Sequence, residues 1–405
     1  MRTLALLVLA AAPVLAQQSS SAAARQTDAD AYTRYELLAP GSAQFRIIYE
    51  ITATSPGATA YYNPIRMGST ASDESVIDRA TGKPLVFAEV GAAEARAGGV
   101  RVPSEQQRYI KVTLARPVPA NGGEQRILIL KTYRDTASYF TRGDTIVFTR
   151  PLGIKRNAVV LPRGYELVSS SFPAQVLQEP DGRVGISFWN STPSEAAVVM
   201  RAVPLRAPLA ASARRTDDMR TRLDERAHQN REIVYFLQQP ETHAFDLYHD
   251  YTESRPGIAN YINVVRAGST VSAPSAINLD TGEPVPFDVL KGAAITRAGF
   301  DVPDLTPTTE AVVFRFAPVQ AGTSIRLRMS ETYTDSARYR LEGNELVWDR
   351  AFGRPSNIVV LPPGWVLTNS SIPATVSTRP DGRVQLDFIN GRNDEIAVLI
   401  TARRR

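Results

Sequence analysis

Leu161-Pro162-Arg163-Gly164-Tyr165 and Pro180-Asp181-Gly182-Arg183-Val184 decide the fold, because both return later in the chain. The first comes back as Leu361-Pro362-Pro363-Gly364-Trp365, and the second, unchanged, as Pro380-Asp381-Gly382-Arg383-Val384, an offset of 381 − 181 = 200. The surrounding stretch, Lys131 to Asn190, is spelled out again as Glu331 to Asn390. The correspondence extends back through Pro56-Gly57 with Pro256-Gly257, Gly68-Ser69-Thr70 with Gly268-Ser269-Thr270, and Thr81-Gly82 with Thr281-Gly282. The chain is a tandem duplication, and each copy is a control on the other.

Within each copy the patterning is that of strands. Phe45, Ile47 and Tyr49 alternate with Arg46 and Glu50, and Ile110, Val112 and Leu114 alternate with Lys111 and Thr113. A period of two with β-branched and aromatic residues marks half-buried strands. Pro56-Gly57, Thr81-Gly82, Asn121-Gly122, Gly143-Asp144 and Asp181-Gly182 punctuate them as turns, and Val176 to Phe188 reads as a hairpin around Pro-Asp-Gly. The expectation is an all-β protein, two homologous antiparallel β-sandwich domains of roughly ten strands each.

The boundaries follow from composition. Residues 1–16 have the parts of a secretory signal: Arg2, the apolar or small run Leu4 to Leu15, and small residues before Gln17. That run is too short to span a bilayer, which takes about 20 residues. Residues 17–34 read as a flexible segment, 35–204 as the first sandwich, 205–234 as a helical linker and 235–405 as the second sandwich. In the linker, Leu209 to Glu232 lacks Gly and Pro, with Thr216 placed to cap a helix and Asp217 and Asp218 in its first turn. There are no cysteines, which excludes disulfides and thiolate chemistry. An exported chain without disulfides fits a bacterial periplasm or the extracellular space. The formal charge of +5 is spread without a basic run beyond Arg403-Arg404-Arg405, so no nucleic-acid partner is expected.

The usual catalytic signatures are missing. The three histidines, His228, His243 and His249, form no zinc motif; His243 and His249 are some 20 Å apart if one strand carries both, at about 3.3 Å per residue. There is no Gly-x-Ser-x-Gly elbow. Arg142-Gly143-Asp144 becomes Glu342-Gly343-Asn344 in the second copy, so what recurs is a hairpin turn, not an adhesion tripeptide. No metal and no cofactor are expected.

The repeated polar and aromatic residues that turn geometry does not explain are the candidates for a site. They are Tyr133, Asp135, Arg150, Asn157 and Tyr165, with their counterparts Tyr333, Asp335, Arg350, Asn357 and Trp365. Strand ends along one sandwich edge lie close together, so an Asp135–Arg150 contact is geometrically plausible. It is either a buried structural pair or the lining of a pocket.

The segment Ile110 to Tyr133, an amphipathic strand, a proline, a small-residue turn and a strand ending in tyrosine, resembles the β-rich N-terminal domain of zinc aminopeptidases. The helix that carries that family's zinc has no counterpart here. Taken together, these features lead to the expectation of an exported envelope binding or interaction protein without catalytic activity, its partner a glycan or another envelope protein. The alternative is a secreted hydrolase or lyase using the repeated Asp and Arg residues in a cleft.

Overall fold

A computed structural model of the chain describes residues 25–192, 194–207 and 224–405. The leader-like residues 1–16 and the centre of the expected linker helix, with Thr216 to Leu223, lie outside the described residues. The duplication is plain in three dimensions: two similar all-β domains follow one another along the chain.

Each copy contains three sheets. In the first, a seven-stranded sheet runs Gln175–Gln178, Val184–Trp189, Arg156–Val160, Asp28–Leu37, Gln44–Ala53, Gln125–Arg134, Thr70–Asp78. A four-stranded sheet (Tyr165–Ser170, Ala196–Pro204, Thr145–Leu152, Tyr139–Arg142) packs on one half of it, and a three-stranded sheet (Ala60–Ile65, Arg108–Thr113, Phe87–Val90) on the other. The second copy repeats this order and adds the short edge strand Glu283–Pro284. The alternation seen in sequence is the reason: Phe45, Ile47, Tyr49 and Ile51 are buried opposite Tyr133, Lys131, Ile129 and Ile127 across a ten-residue antiparallel ladder.

Four details differ from the sequence expectation. The first strand begins at Asp28, inside the stretch read as flexible, because Tyr32 to Glu36 pair in parallel with Arg156 to Val160. The second copy has the same single parallel pair, Glu232–Leu237 with Ser356–Val360, and so starts at Glu232. Each copy also has a short helix, Ala92–Ala97 and Ala293–Arg297. The described end of the linker, 224–231, forms a turn, not a helix. Its Arg226 is buried and bonded to Asn390 O and Gly353 O of the second domain, while its own N–H reaches Gln175 Oε1 of the first.

The two copies meet through matching strand starts. Glu124 N–H donates to Leu279 O, and Ser324 N–H donates to Ala80 O, a nearly symmetric exchange. Arg126 makes a bidentate pair with Asp280 at 2.8 Å through both Nε and Nη2, while Arg326 lies 3.1 Å from Glu124 and 3.5 Å from Asp250. Every member of this network is buried. Planar guanidinium forks suit such desolvated carboxylates, and the network fixes how the domains dock. Leu128 and Leu130, which differ from Arg328 and Ser330 in the second copy, are only half-buried.

Candidate functional site

In the first domain the long sheet and the three-stranded sheet leave a chamber of about 810 Å³ between them. Six tyrosines wall it: Tyr35, Tyr49, Tyr61, Tyr62, Tyr109 and Tyr133. All six are buried, and Tyr61 OH donates to Asp28 Oδ2 at 3.1 Å. Burial pushes the Tyr49 and Tyr61 hydroxyls well up and Tyr133 up to about 12, so these rings keep their protons at neutral pH.

Lys131 projects into this chamber. Ile129, Lys131 and Tyr133 are alternate residues of one strand and therefore share its inward face. Lys131 thus puts an amine where the pattern calls for an apolar side chain, and it is 4% exposed. Its Nζ donates to Asn63 Oδ1 at 2.6 Å and lies 4.8 Å from the centre of the Tyr133 ring. Among the described residues no carboxylate ion-pairs with it. Burial is the largest influence on this amine and pulls its pKa down to about 7; Glu74 opposes the change and the Arg150 charge adds to it.

The sequence candidates fall behind this chamber or away from it. Arg150 and Tyr133 reach its wall. Asp135 is a structural partner: its Oδ2 accepts from Arg150 Nη1 at 3.1 Å, Ser138 Oγ at 2.7 Å and Ser69 Oγ at 3.1 Å. Burial would raise the Asp135 carboxyl, but the Ser138 and Ser69 hydrogen bonds and the Arg150 charge hold it below its ordinary value. The guanidinium of Arg150 is also 5.6–5.7 Å from the ring centres of Tyr35, Phe45 and Tyr133. Asp335 and Arg350 repeat the pair at 3.5 Å, with Tyr333 beside them. Both Asp–Arg pairs are buried and hydrogen-bonded within their domains. Asn157 and Asn357 brace their loops by donating to Ile154 O and Arg354 O. Tyr165 packs half-buried on the core, and Trp365 is buried with Nε1 donating to Gln239 Oε1 at 2.9 Å.

The second copy has no equivalent amine. Glu331 stands in place of Lys131, accepts from Asn263 Nδ2 at 2.7 Å, and is pushed up by burial. His249 replaces Tyr49 and is held neutral by burial and by the Arg354 and Arg231 charges; its Nε2 lies 3.4 Å from Met329 Sδ. His243 precedes the strand, at a positive φ, with Nδ1 3.0 Å from Tyr339 O. Repetition was the filter that selected candidates in the sequence, and it passes over Lys131. The signal that finds it is the opposite one, a charge that changes sign between copies directly before the matching Thr132-Tyr133 and Thr332-Tyr333.

No protein-family model matches the chain, and no curated protein matches it. Solved structures that it is similar to include an M1 zinc metallopeptidase from Deinococcus radiodurans, at 11% identity and a TM-score of 0.30, over 45% of this chain and 42% of that one. An aminopeptidase N family protein from Idiomarina loihiensis is similar at 11% identity and a TM-score of 0.25, over 42% of this chain and 29% of that one. The chain thus spans less than half the length of either. This finding corrects the expectation of a non-catalytic envelope binding protein with a glycan or protein partner: the two structures just described are a zinc metallopeptidase and an aminopeptidase N family protein. At such scores the likeness carries no argument about activity. The described residues do not fit a zinc centre either, since no group of three or more His, Asp or Glu among them is placed to hold a metal. Nor is any described helix long and apolar enough to cross a membrane.

Proposed function

We propose that the first domain carries the working site and that Lys131 acts there, through its amine, on a small organic ligand bearing an aldehyde or ketone. The observation that supports this most is the placing of Lys131: a core-facing amine, bonded to one amide oxygen, beside a chamber large enough for a ligand of drug-like size. An amine that is neutral near pH 7 is a nucleophile, as an ordinary exposed lysine is not. Its lone pair adds to the carbonyl carbon; the two amine protons leave with the carbonyl oxygen as water, and a C=N bond forms. The protonated tyrosines offer hydrogen bonds to the carbonyl oxygen, and their rings offer apolar walls to the rest of the ligand. Export of the protein, on the strength of residues 1–16, remains part of the proposal.

The chain has five lysines, Lys83, Lys111, Lys131, Lys155 and Lys291, which makes the test simple to read. The protein is treated with a small aldehyde and cyanoborohydride at pH 7, and labelled peptides are mapped by mass. The neutral fraction of Lys131 exceeds that of a lysine at the ordinary pKa by on the order of a thousandfold at this pH. Lys131 is expected to be labelled first. Labelling of the other four while Lys131 stays unmodified would overturn the proposal.

A further inference from the structure

The second domain has a cavity where the first has its chamber wall, and its chemistry is different. About 290 Å³ in volume, it is lined by Arg226, Arg231, Arg266 and Arg354, with Glu395 the one carboxylate among its lining residues. Arg266 and Glu395 pair at 3.2 Å. The other three guanidiniums make no ion pair with a carboxylate among the described residues. Arg226 is 5% exposed, yet it donates only to neutral oxygens: Gly353 O at 2.8 Å, Gln229 Oε1 at 3.1 Å and Asn390 O at 3.3 Å. Arg354 donates to Tyr261 OH at 3.2 Å, and Arg231 lies 5.3 Å from the Tyr251 ring centre.

That is an excess of positive charge in a partly desolvated place, a costly arrangement without an anion. Burial and the neighbouring Arg231 push the Arg226 pKa down, although Asp224 and Asp394 lie near enough to oppose this without lining the cavity. Arg231 and Arg354 also both act on His249, outside the cavity lining, where they add to the effect of burial. Three of these arginines are not shared by the two copies. At the matching positions of the first copy stand Gln26, Ala31 and Ile154, and only Arg266 has an arginine counterpart, Arg66.

The geometry points to a binding site in the second domain for a small dianion, either inorganic phosphate or the phosphoryl group of a monoester, gripped by Arg226, Arg231 and Arg354. Guanidinium forks match phosphoryl oxygens two at a time, and a dianion offsets most of the excess that Glu395 leaves. The site is independent of the Lys131 chamber and stands or falls separately.

The test is calorimetric titration of the full chain with sodium phosphate and, separately, with phenyl phosphate, both against a chloride background of equal ionic strength. Saturable binding with a Kd below about 1 mM is expected for at least one of them. Stronger binding of phenyl phosphate assigns a monoester, and equal or weaker binding assigns the free ion. Arg231→Gln combined with Arg354→Gln is expected to weaken binding at least roughly tenfold, since each charged hydrogen bond lost is worth that much. Glu395→Gln, at an exposed position that should not disturb folding, is expected to tighten it severalfold. No saturable binding by either ligand, or affinities unchanged by Glu395→Gln and by the double substitution, would overturn the assignment.

Discussion

Replacing Asp335 with alanine is expected to destabilise the full chain by about 3–5 kcal/mol, the usual cost of stranding one partner of a buried ion pair. Asp335 is 0% exposed and accepts from Ser269 Oγ at 2.7 Å, Arg338 N–H at 3.1 Å and Arg338 Nη1 at 3.1 Å. It also sits 3.5 Å from Arg350, whose guanidinium is wedged among Tyr235, Phe245, Tyr333 and Trp348. Without the carboxylate that cation is left buried among aromatic faces. Asp135→Ala repeats the experiment in the first copy, where Arg150 is the stranded partner. Thermal unfolding of each variant reads the effect, and a loss well under 1 kcal/mol in both would show that these pairs are not structural.

The second large effect changes sign with pH. Lys131→Met should stabilise the protein in mild acid and destabilise it at high pH. The amine has an ordinary pKa of 10.5 when unfolded and about 7 when folded. That difference corresponds to about 5 kcal/mol against folding when the group is charged. Below pH 7 the lysine is charged in both states and the native chain bears the full cost. Between 7 and 10.5 the unfolded chain holds a proton that the folded one has released, so stability rises with pH. Above 10.5 both states are neutral and the cost is gone. Methionine removes this cost but leaves Asn63 Oδ1 without its donor, a loss of about 1–3 kcal/mol at every pH. The expected net gain is therefore about 2–4 kcal/mol at pH 6, turning into a loss of about 1–3 kcal/mol above pH 10.5. Chemical unfolding of both proteins across that range checks it; a difference that does not vary with pH would show that the amine is not depressed.

Much of the fold was legible because it is local. Gly143 and Gly343 both take φ of +59° in two-residue hairpins, and Gly182 and Gly382 take +84° and +81°, as Gly-Asp, Gly-Asn and Asp-Gly demand. The Asp135–Arg150 pair was legible because it is repeated. What was not legible depends on distant partners. The parallel pairing of Tyr32 with Arg156 joins segments more than a hundred residues apart, and nothing near Tyr32 announces it. Arg126 stands near the start of a strand, and nothing beside it in the sequence announces Asp280 of the other domain as its partner. Lys131 sits on a strand whose pattern is otherwise apolar inward, so a period-two reading gives its face but not the cavity that makes an amine tenable there.

The claim on which the functional reading rests is that Lys131 is an amine neutral near physiological pH inside a tyrosine-walled chamber. It is tested most directly by labelling the five lysines with carbon-13 at Cε and following their shifts through a pH titration, with Lys131→Met to assign the resonance. One of the five is expected to titrate with a midpoint near 7, and its signal should be absent from the variant. If all five titrate above about 10, the amine is an ordinary lysine and the account of the site is wrong.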